Sequence, residues 1–138
     1  MTRFLMPMSE AINLVIYAMK NAKNGDILVK KTFATTIKTL SETIIKFMNK
    51  KNWKVKIIGN RHGEKKHESL LSAEELSKAI DLKNFYRIPS DIRDLNYKAY
   101  FDQGKNISKF KTYSSDNVKN LNQKELLKVL NYIRKDLI

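Results

Sequence analysis

The stretch Lys56-Ile57-Ile58-Gly59-Asn60-Arg61-His62-Gly63-Glu64-Lys65-Lys66-His67-Glu68 holds the residue types best able to do chemistry in this chain. A β-branched run ends in Gly59. A loop follows, with Arg61 and Glu64 three residues apart and Gly63 between them. A guanidinium is a planar fork of donors that matches phosphate oxygens two at a time. Gly63 lets the backbone come close to a ligand, and a carboxylate such as Glu64 accepts from ribose hydroxyls. Such a loop at the end of a strand suits a small anionic ligand of the nucleotide diphosphate kind. A surface loop closed by a salt bridge has the same spacing, and spacing alone leaves both readings open. Arg3, in Thr2-Arg3-Phe4 ahead of a helix, is a second candidate cation; by itself it reads first as an exposed N-terminal charge.

Other groups carry less. His62 and His67 lack the His-Glu-x-x-His spacing of a zinc site, and no third ligand follows, so they read as solvent-facing loop histidines. Asp91, Arg93 and Asp94 near Tyr86, Tyr97 and Tyr100 read as an ion-pair network or subunit contact. A dinucleotide fold needs a Gly-rich turn after its first strand. The four glycines, at 25, 59, 63 and 104, make no such turn. A tyrosine activated by a lysine four residues on is also missing, for that offset brings Asn21, Ser90, Phe101, Gly104, Asn117 and Asp136. No Ser-His-Asp or Cys-His set is evident. These residues make part of an active site and not the whole.

The elements that must position the loop follow from periodicity. Ser9 is the expected N-cap of a helix over Glu10 to Asn24, with Ile12, Val15, Ile16 and Met19 on a buried face and Gly25 as its C′ residue. Ile27-Leu28-Val29 reads as a short strand. Thr35 or Thr36 caps a second helix whose stripe is Ile37, Leu40, Ile44 and Phe47 or Met48. Trp53 to Gly59 alternates apolar residues with lysine and reads as a half-buried strand. Ser72-Ala73-Glu74-Glu75 is a capping box opening a helix to Asp81. Phe85 to Phe101 reads as an irregular or extended arm, and Gly104 to Asn120 as a polar loop. Asn122-Gln123-Lys124-Glu125 is a second capping box, opening a terminal helix with Leu126, Leu127, Leu130, Ile133 and Leu137 inward. The order is that of an α/β chain with two short strands, a poor sheet by itself.

The composition sets outer bounds. At 138 residues the chain fits one modest domain; 42% hydrophobic and 30% charged residues are those of a globular protein. With no cysteine, disulfides and thiolate metal sites are excluded. The longest near-apolar run, Ala11 to Met19, is too short to span a bilayer. The first residues lack the apolar core and cleavage site of a signal peptide, so a cytoplasmic location without a membrane is the expectation. The net charge of +13 comes from 22 lysines against 5 arginines, spread along the chain. Nucleic-acid readers more often cluster arginine with exposed aromatics. The alternative of a small basic nucleic-acid-binding protein therefore stands second.

Met1-Thr2-Arg3-Phe4, Arg61-His62-Gly63-Glu64-Lys65, Ser72-Ala73-Glu74-Glu75 and above all Tyr86-Arg87-Ile88-Pro89-Ser90-Asp91-Ile92-Arg93-Asp94-Leu95-Asn96-Tyr97 carry a resemblance. Over essentially its whole length the chain resembles the C-terminal portion of bacterial capsular polysaccharide biosynthesis enzymes, extended short-chain dehydrogenase/reductase proteins acting on UDP-sugars. The nearest branch is the UDP-N-acetylglucosamine 4,6-dehydratase (5-inverting); relatives with the same segment are described as UDP-glucose 4-epimerases. The resemblance implies an α/β substrate-binding lobe, incomplete without a Rossmann half that carries NAD(P) and the catalytic Tyr/Lys pair. It implies a UDP-sugar-binding lobe over 1–84 and a polysaccharide-biosynthesis C-terminal segment over 85–138, packed as one unit. Arg3, Arg61 and Glu64 would hold UDP, with both arginines on the phosphates. The chain would be a truncated or split part of an oligomeric enzyme, with no cofactor site and no catalytic residue of its own. A separately encoded Rossmann half would be its partner, and apolar surface that faces that half should lie exposed.

Overall fold

The structure, a computed structural model, describes residues 1–90 and 110–136. Its element order is β1 (Thr2–Leu5), α1 (Met8–Asn21), β2 (Ile27–Lys30), β3 (Phe33–Thr36), α2 (Ile37–Phe47), β4 (Ser69–Leu71), α3 (Ala73–Lys78), β5 (Ile80–Leu82), β6 (Phe85–Ile88), β7 (Tyr113–Ser114) and α4 (Gln123–Asp136). This is the expected α/β chain, but with more strands than the two read from the sequence. The described residues gather into two compact units. One combines Met1–Pro7, Thr32–Glu68 and the described part of Ser114–Ile138; the other combines Met8–Lys31 with the described part of Ser69–Tyr113.

In the first unit β1 and β3 pair antiparallel, Thr2 opposite Thr36 and Leu5 opposite Phe33. Ala34 and Thr35 are fully buried because they are small. The backbone of the chain after β7 lies against them: Ala34 N–H donates to the Lys119 carbonyl at 3.0 Å and Leu121 N–H donates to the Ala34 carbonyl at 2.8 Å. The Thr35 hydroxyl donates to the Leu121 carbonyl at 3.1 Å. Thr36 is the N-cap of α2, its hydroxyl accepting from the Thr39 N–H. The buried side of α2 runs through Thr43, whose hydroxyl donates back to the Thr39 carbonyl at 2.6 Å. Ile37, Ile44 and Met48 of the expected stripe are exposed. Asn49, at φ 53°, ends α2: its N–H bonds to Lys46 O and that of Lys50 to Ile45 O, the paired bonds of a Schellman motif. α4 packs on α2. It opens with the expected capping box, Asn122 and Glu125 each accepting the other's backbone N–H at 3.0 Å. Leu126 is its buried anchor, and Leu137 lies outside the described residues.

The second unit is a three-stranded antiparallel sheet, order β2-β6-β5, with Val29 opposite Tyr86 and Ile80 opposite Arg87. The helix expected to reach Asp81 ends at Lys78, because Ile80 to Leu82 pair with β6 instead. Its capping box of Ser72 and Glu75 is present as expected. The helix expected over Glu10 to Asn24 runs from Met8 to Asn21, with Ser9 inside its first turn. Gly25 is not its C′ residue; it sits at φ +81° in the turn closed by Asp26 N–H to Lys23 O at 3.0 Å. Tyr17 of α1 stacks on Phe85 of β6 at 4.5 Å. None of α1 is buried, and Ile12, Val15, Ile16 and Met19 are exposed, Met19 by 82%. The apolar face is real, but nothing among the described residues covers it.

Trp53 to Gly59 is not a strand. It runs between α2 and β4 without regular pairing, and Ile57 is 90% exposed. Alternation found the pattern, yet a strand exists only with a neighbour, and the described residues offer none.

Candidate anion-binding site

Arg3, Arg61 and Glu64 converge on one cavity of 640 Å³ in the first unit. Its walls are Met1, Arg3 of β1, Ile37, Lys38, Ser41 and Glu42 of α2, and the chain from Val55 to Arg61 with Glu64. Apolar side chains of Met1, Ile37, Val55, Ile57 and Ile58 line it together with the charged Arg3, Lys38, Glu42, Lys56, Arg61 and Glu64.

The Arg61–Glu64 loop is closed from both sides. Glu64 N–H donates to the Arg61 carbonyl at 3.1 Å, and the Arg61 N–H donates to Glu64 Oε2 at 3.1 Å. Gly63, at φ +78°, supplies the left-handed residue that this turn requires. Glu64 Oε1 lies 3.4 Å from Arg3 Nη2. The salt-bridge reading of the loop is thus met, but the bridge runs to Arg3 and leaves the Arg61 guanidinium without a partner among the described residues.

Arg3 is held more firmly than an N-terminal charge would be. Its Nε faces Glu68 Oε1 at 3.4 Å, and its Nη1 donates to the Thr2 carbonyl at 2.7 Å and the Lys66 carbonyl at 3.4 Å. Glu68 also accepts the Phe4 N–H at 3.1 Å, and Thr2 N–H donates to Lys66 O at 2.9 Å. The segment from Glu64 to Glu68 is therefore laid along β1 and carries the loop with it. Below it, Thr2 Oγ1 shares hydrogen bonds with His67 Nδ1 at 2.8 Å and with the fully buried Ser115 Oγ at 2.7 Å. Ser115 N–H donates to Glu68 O at 2.8 Å, and Glu68 N–H donates to Ser115 Oγ at 2.9 Å. His67 is exposed, as expected, yet it serves as a strut. His62 has no such role. Sequence reasoning gave Glu68 and Ser115 no role and His67 only that of a solvent-facing loop residue; only the conversion of Thr2 to Leu5 into a strand makes them neighbours. Nearby, the Ser114 hydroxyl donates to Asp116 at 2.7 Å and holds its carboxyl below the usual carboxylate range.

Charge around the loop is one-sided. Between Glu42 and Glu64 the chain carries Lys46, Lys50, Lys51, Lys54, Lys56 and Arg61 and no acidic residue, a local excess of positive charge that favours an anion. Among the described residues no glycine lies in the turn a dinucleotide needs. Gly25 is in a turn between α1 and β2 where a Cβ would come 2.7 Å from Ser90 Cβ, and Gly59 and Gly63 are not followed by a helix. Among the described residues no three His, Cys, Asp or Glu side chains gather as a metal site, and no helix is long and apolar enough to cross a membrane. Asp91, Arg93, Asp94, Tyr97 and Tyr100, and with them most of the Tyr86–Tyr97 motif, lie outside the described residues.

Fold and site together define an α/β lobe with a basic, carboxylate-braced loop over a cavity. Residues 1–90 match the family model described as polysaccharide biosynthesis protein, and residues 91–134 match that described as polysaccharide biosynthesis protein C-terminal. The chain belongs to the polysaccharide biosynthesis protein family, as the resemblance to the C-terminal portion of such enzymes implied. It is 47% identical over 141 residues to a UDP-glucose 4-epimerase of Rickettsia rickettsii (strain Sheila Smith) and 49% identical to one of Rickettsia bellii (strain OSU 85-389), covering 99% of this chain in each case. It spans 41% of the length of these relatives. The X-ray structure of Pen from Bacillus thuringiensis superimposes with a TM-score of 0.77 at 31% identity, covering 96% of this chain and 37% of that one.

Proposed function

We propose that this chain is the nucleotide-sugar-binding part of an NAD(P)-dependent UDP-sugar enzyme of surface polysaccharide biosynthesis, of the UDP-N-acetylglucosamine 4,6-dehydratase or UDP-glucose 4-epimerase type. The observation that carries this reading is the meeting of Arg3, Arg61 and Glu64 on one cavity. The names of the relatives favour the epimerase alternative.

In this reading Arg61, whose guanidinium is uncommitted, takes the diphosphate. Arg3, aligned by Glu64 and Glu68, adds its positive charge on the phosphates. Glu64 has lone pairs left for a ribose hydroxyl. The chain binds and orients the ligand, which is catalysis by positioning. Bond making belongs to residues and a cofactor outside this chain, in a Rossmann half that would be its partner. The cytoplasm, where nucleotide sugars are made, is the location that goes with this function. Titration calorimetry with UDP tests it. Saturable binding that Arg61→Ala weakens at least about tenfold supports the reading. No UDP binding, together with DNA binding that weakens steeply with salt, would favour the basic nucleic-acid-binding alternative.

A further inference from the structure

The first unit closes its strand edges carefully, with one exception. On β1 the outward N–H groups of Thr2 and Phe4 are taken by the Lys66 carbonyl and the Glu68 carboxylate. On β3 the outward N–H and C=O of Ala34 are taken by Lys119 and Leu121. Yet after the Trp53 N–H, which bonds to Lys50 O, none of the backbone groups from Lys54 to Asn60 has a partner among the described residues. This segment has a strand's alternation, and its side chains at Val55, Ile57 and Ile58 are exposed. Its residues Val55 to Asn60 line the cavity together with Ile37, Lys38, Ser41 and Glu42 of α2.

A run with a strand's alternation, unpaired backbone groups and apolar side chains in water is a template for strand addition. From this edge, and resting on the reading that the chain is one part of a longer enzyme, we infer that Trp53–Gly59 is half of a β-ladder. Its other half is a strand from the portion of the polypeptide that relatives carry beyond the matched 41%. That strand covers Val55 and Ile57. Arg3, Arg61 and Glu64 stay open for the diphosphate. The partner strand thereby fixes the segment that leads straight into Arg61, so the anion loop is set by the ladder.

The test mixes this chain with the remaining portion of the Rickettsia bellii relative, or joins the two in the order of that relative, and follows amide hydrogen exchange. The expected result is protection of alternate amides in 53–59 by at least about tenfold, since a strand turns every second N–H to its neighbour. Proline at Val55 and, separately, at Lys56 should then differ. One should weaken association by about tenfold and the other by far less, because only one of the two N–H groups is in the ladder. Exchange within β1 and β3 checks that each variant is folded. Association without protection of 53–59, equal effects of the two prolines, or no association in either format would overturn the inference. UDP calorimetry on the same samples is read separately. UDP binding with an unprotected segment would sink the ladder and keep the nucleotide site; a protected segment without UDP binding would do the reverse.

Discussion

Arg3 and Glu64, 61 residues apart in the chain, meet at 3.4 Å through Nη2 and Oε1, while the other oxygen of Glu64 accepts the Arg61 N–H. One carboxylate thus ties the first strand to the anion loop. Its effect is geometric more than energetic, because a partly exposed ion pair is worth about 0–1 kcal/mol. The pair holds the Arg61 backbone beside β1, and the ligand predictions depend on that.

Arg61→Ala should weaken UDP binding by about 1.5–3 kcal/mol, the loss of a charge-assisted contact. Arg61→Lys should recover part of this, since the charge returns without the planar fork. Calorimetry at low salt measures both. A Kd for Arg61→Ala equal to that of the native chain would take Arg61 out of the site.

Two glycines should respond differently to alanine. Gly63 has φ +78° but open space about its Cβ position. Gly63→Ala should cost about 1 kcal/mol of backbone strain, felt as weaker UDP binding with little change in overall stability. At Gly25 the φ of +81° is joined by a Cβ contact of 2.7 Å with Ser90 Cβ. Gly25→Ala should destabilise the second unit by about 2–4 kcal/mol. Urea unfolding of the two variants distinguishes them; equal midpoints would contradict the packing at Ser90.

Asp26 sets an acid limit. The Lys23 backbone N–H holds its carboxyl below the usual carboxylate range, with help from the Ser90 N–H and the Arg87 guanidinium 3.4 Å away. The folded pKa is depressed, so the stabilisation is fully present above the unfolded value of about 3.9 and is lost as pH falls through the folded value. Between pH 5 and pH 7 the difference in stability between the native chain and Asp26→Asn should be constant. Below about pH 4 it should shrink. Exchange rates in β2 and β6 across this range report it. A difference that grows on acidification would reverse the sign argued here.

The chain alone should turn over neither UDP-N-acetylglucosamine nor UDP-glucose and should not bind NAD(P). A product assay by chromatography with added cofactor checks this. Turnover by the purified chain would require a catalytic group that the described residues do not show.

The exposed stripe of α1 should drive self-association. Ile12, Val15, Ile16 and Met19 form an uncovered apolar face of the kind that seeks a partner. Val15→Glu with Met19→Glu should lower the apparent mass in size exclusion without lowering Tm, since neither side chain is buried. A monodisperse native chain would count against the need for a partner.

What the sequence by itself determined was local. The two capping boxes, a cap at Thr35 or Thr36 and the strand at Ile27 are settled within a few residues, by hydrogen bonds between neighbours or by a short β-branched run. The family was legible for the same reason, since motifs such as Arg61 to Lys65 and Tyr86 to Tyr97 are contiguous. Tertiary structure decided everything that needs two distant segments. Thr2 to Leu5 has no periodicity to betray a strand; it becomes one because Phe33 to Thr36 lies beside it, and only then do Glu68, His67 and Ser115 gather under the anion loop. Ile80 left the expected helix for the same reason, drawn into pairing with Arg87. Trp53 to Gly59 shows the converse. Its alternation is as regular as any in the chain, but a strand is a relation between two segments, and a pattern without its neighbour stays an exposed run.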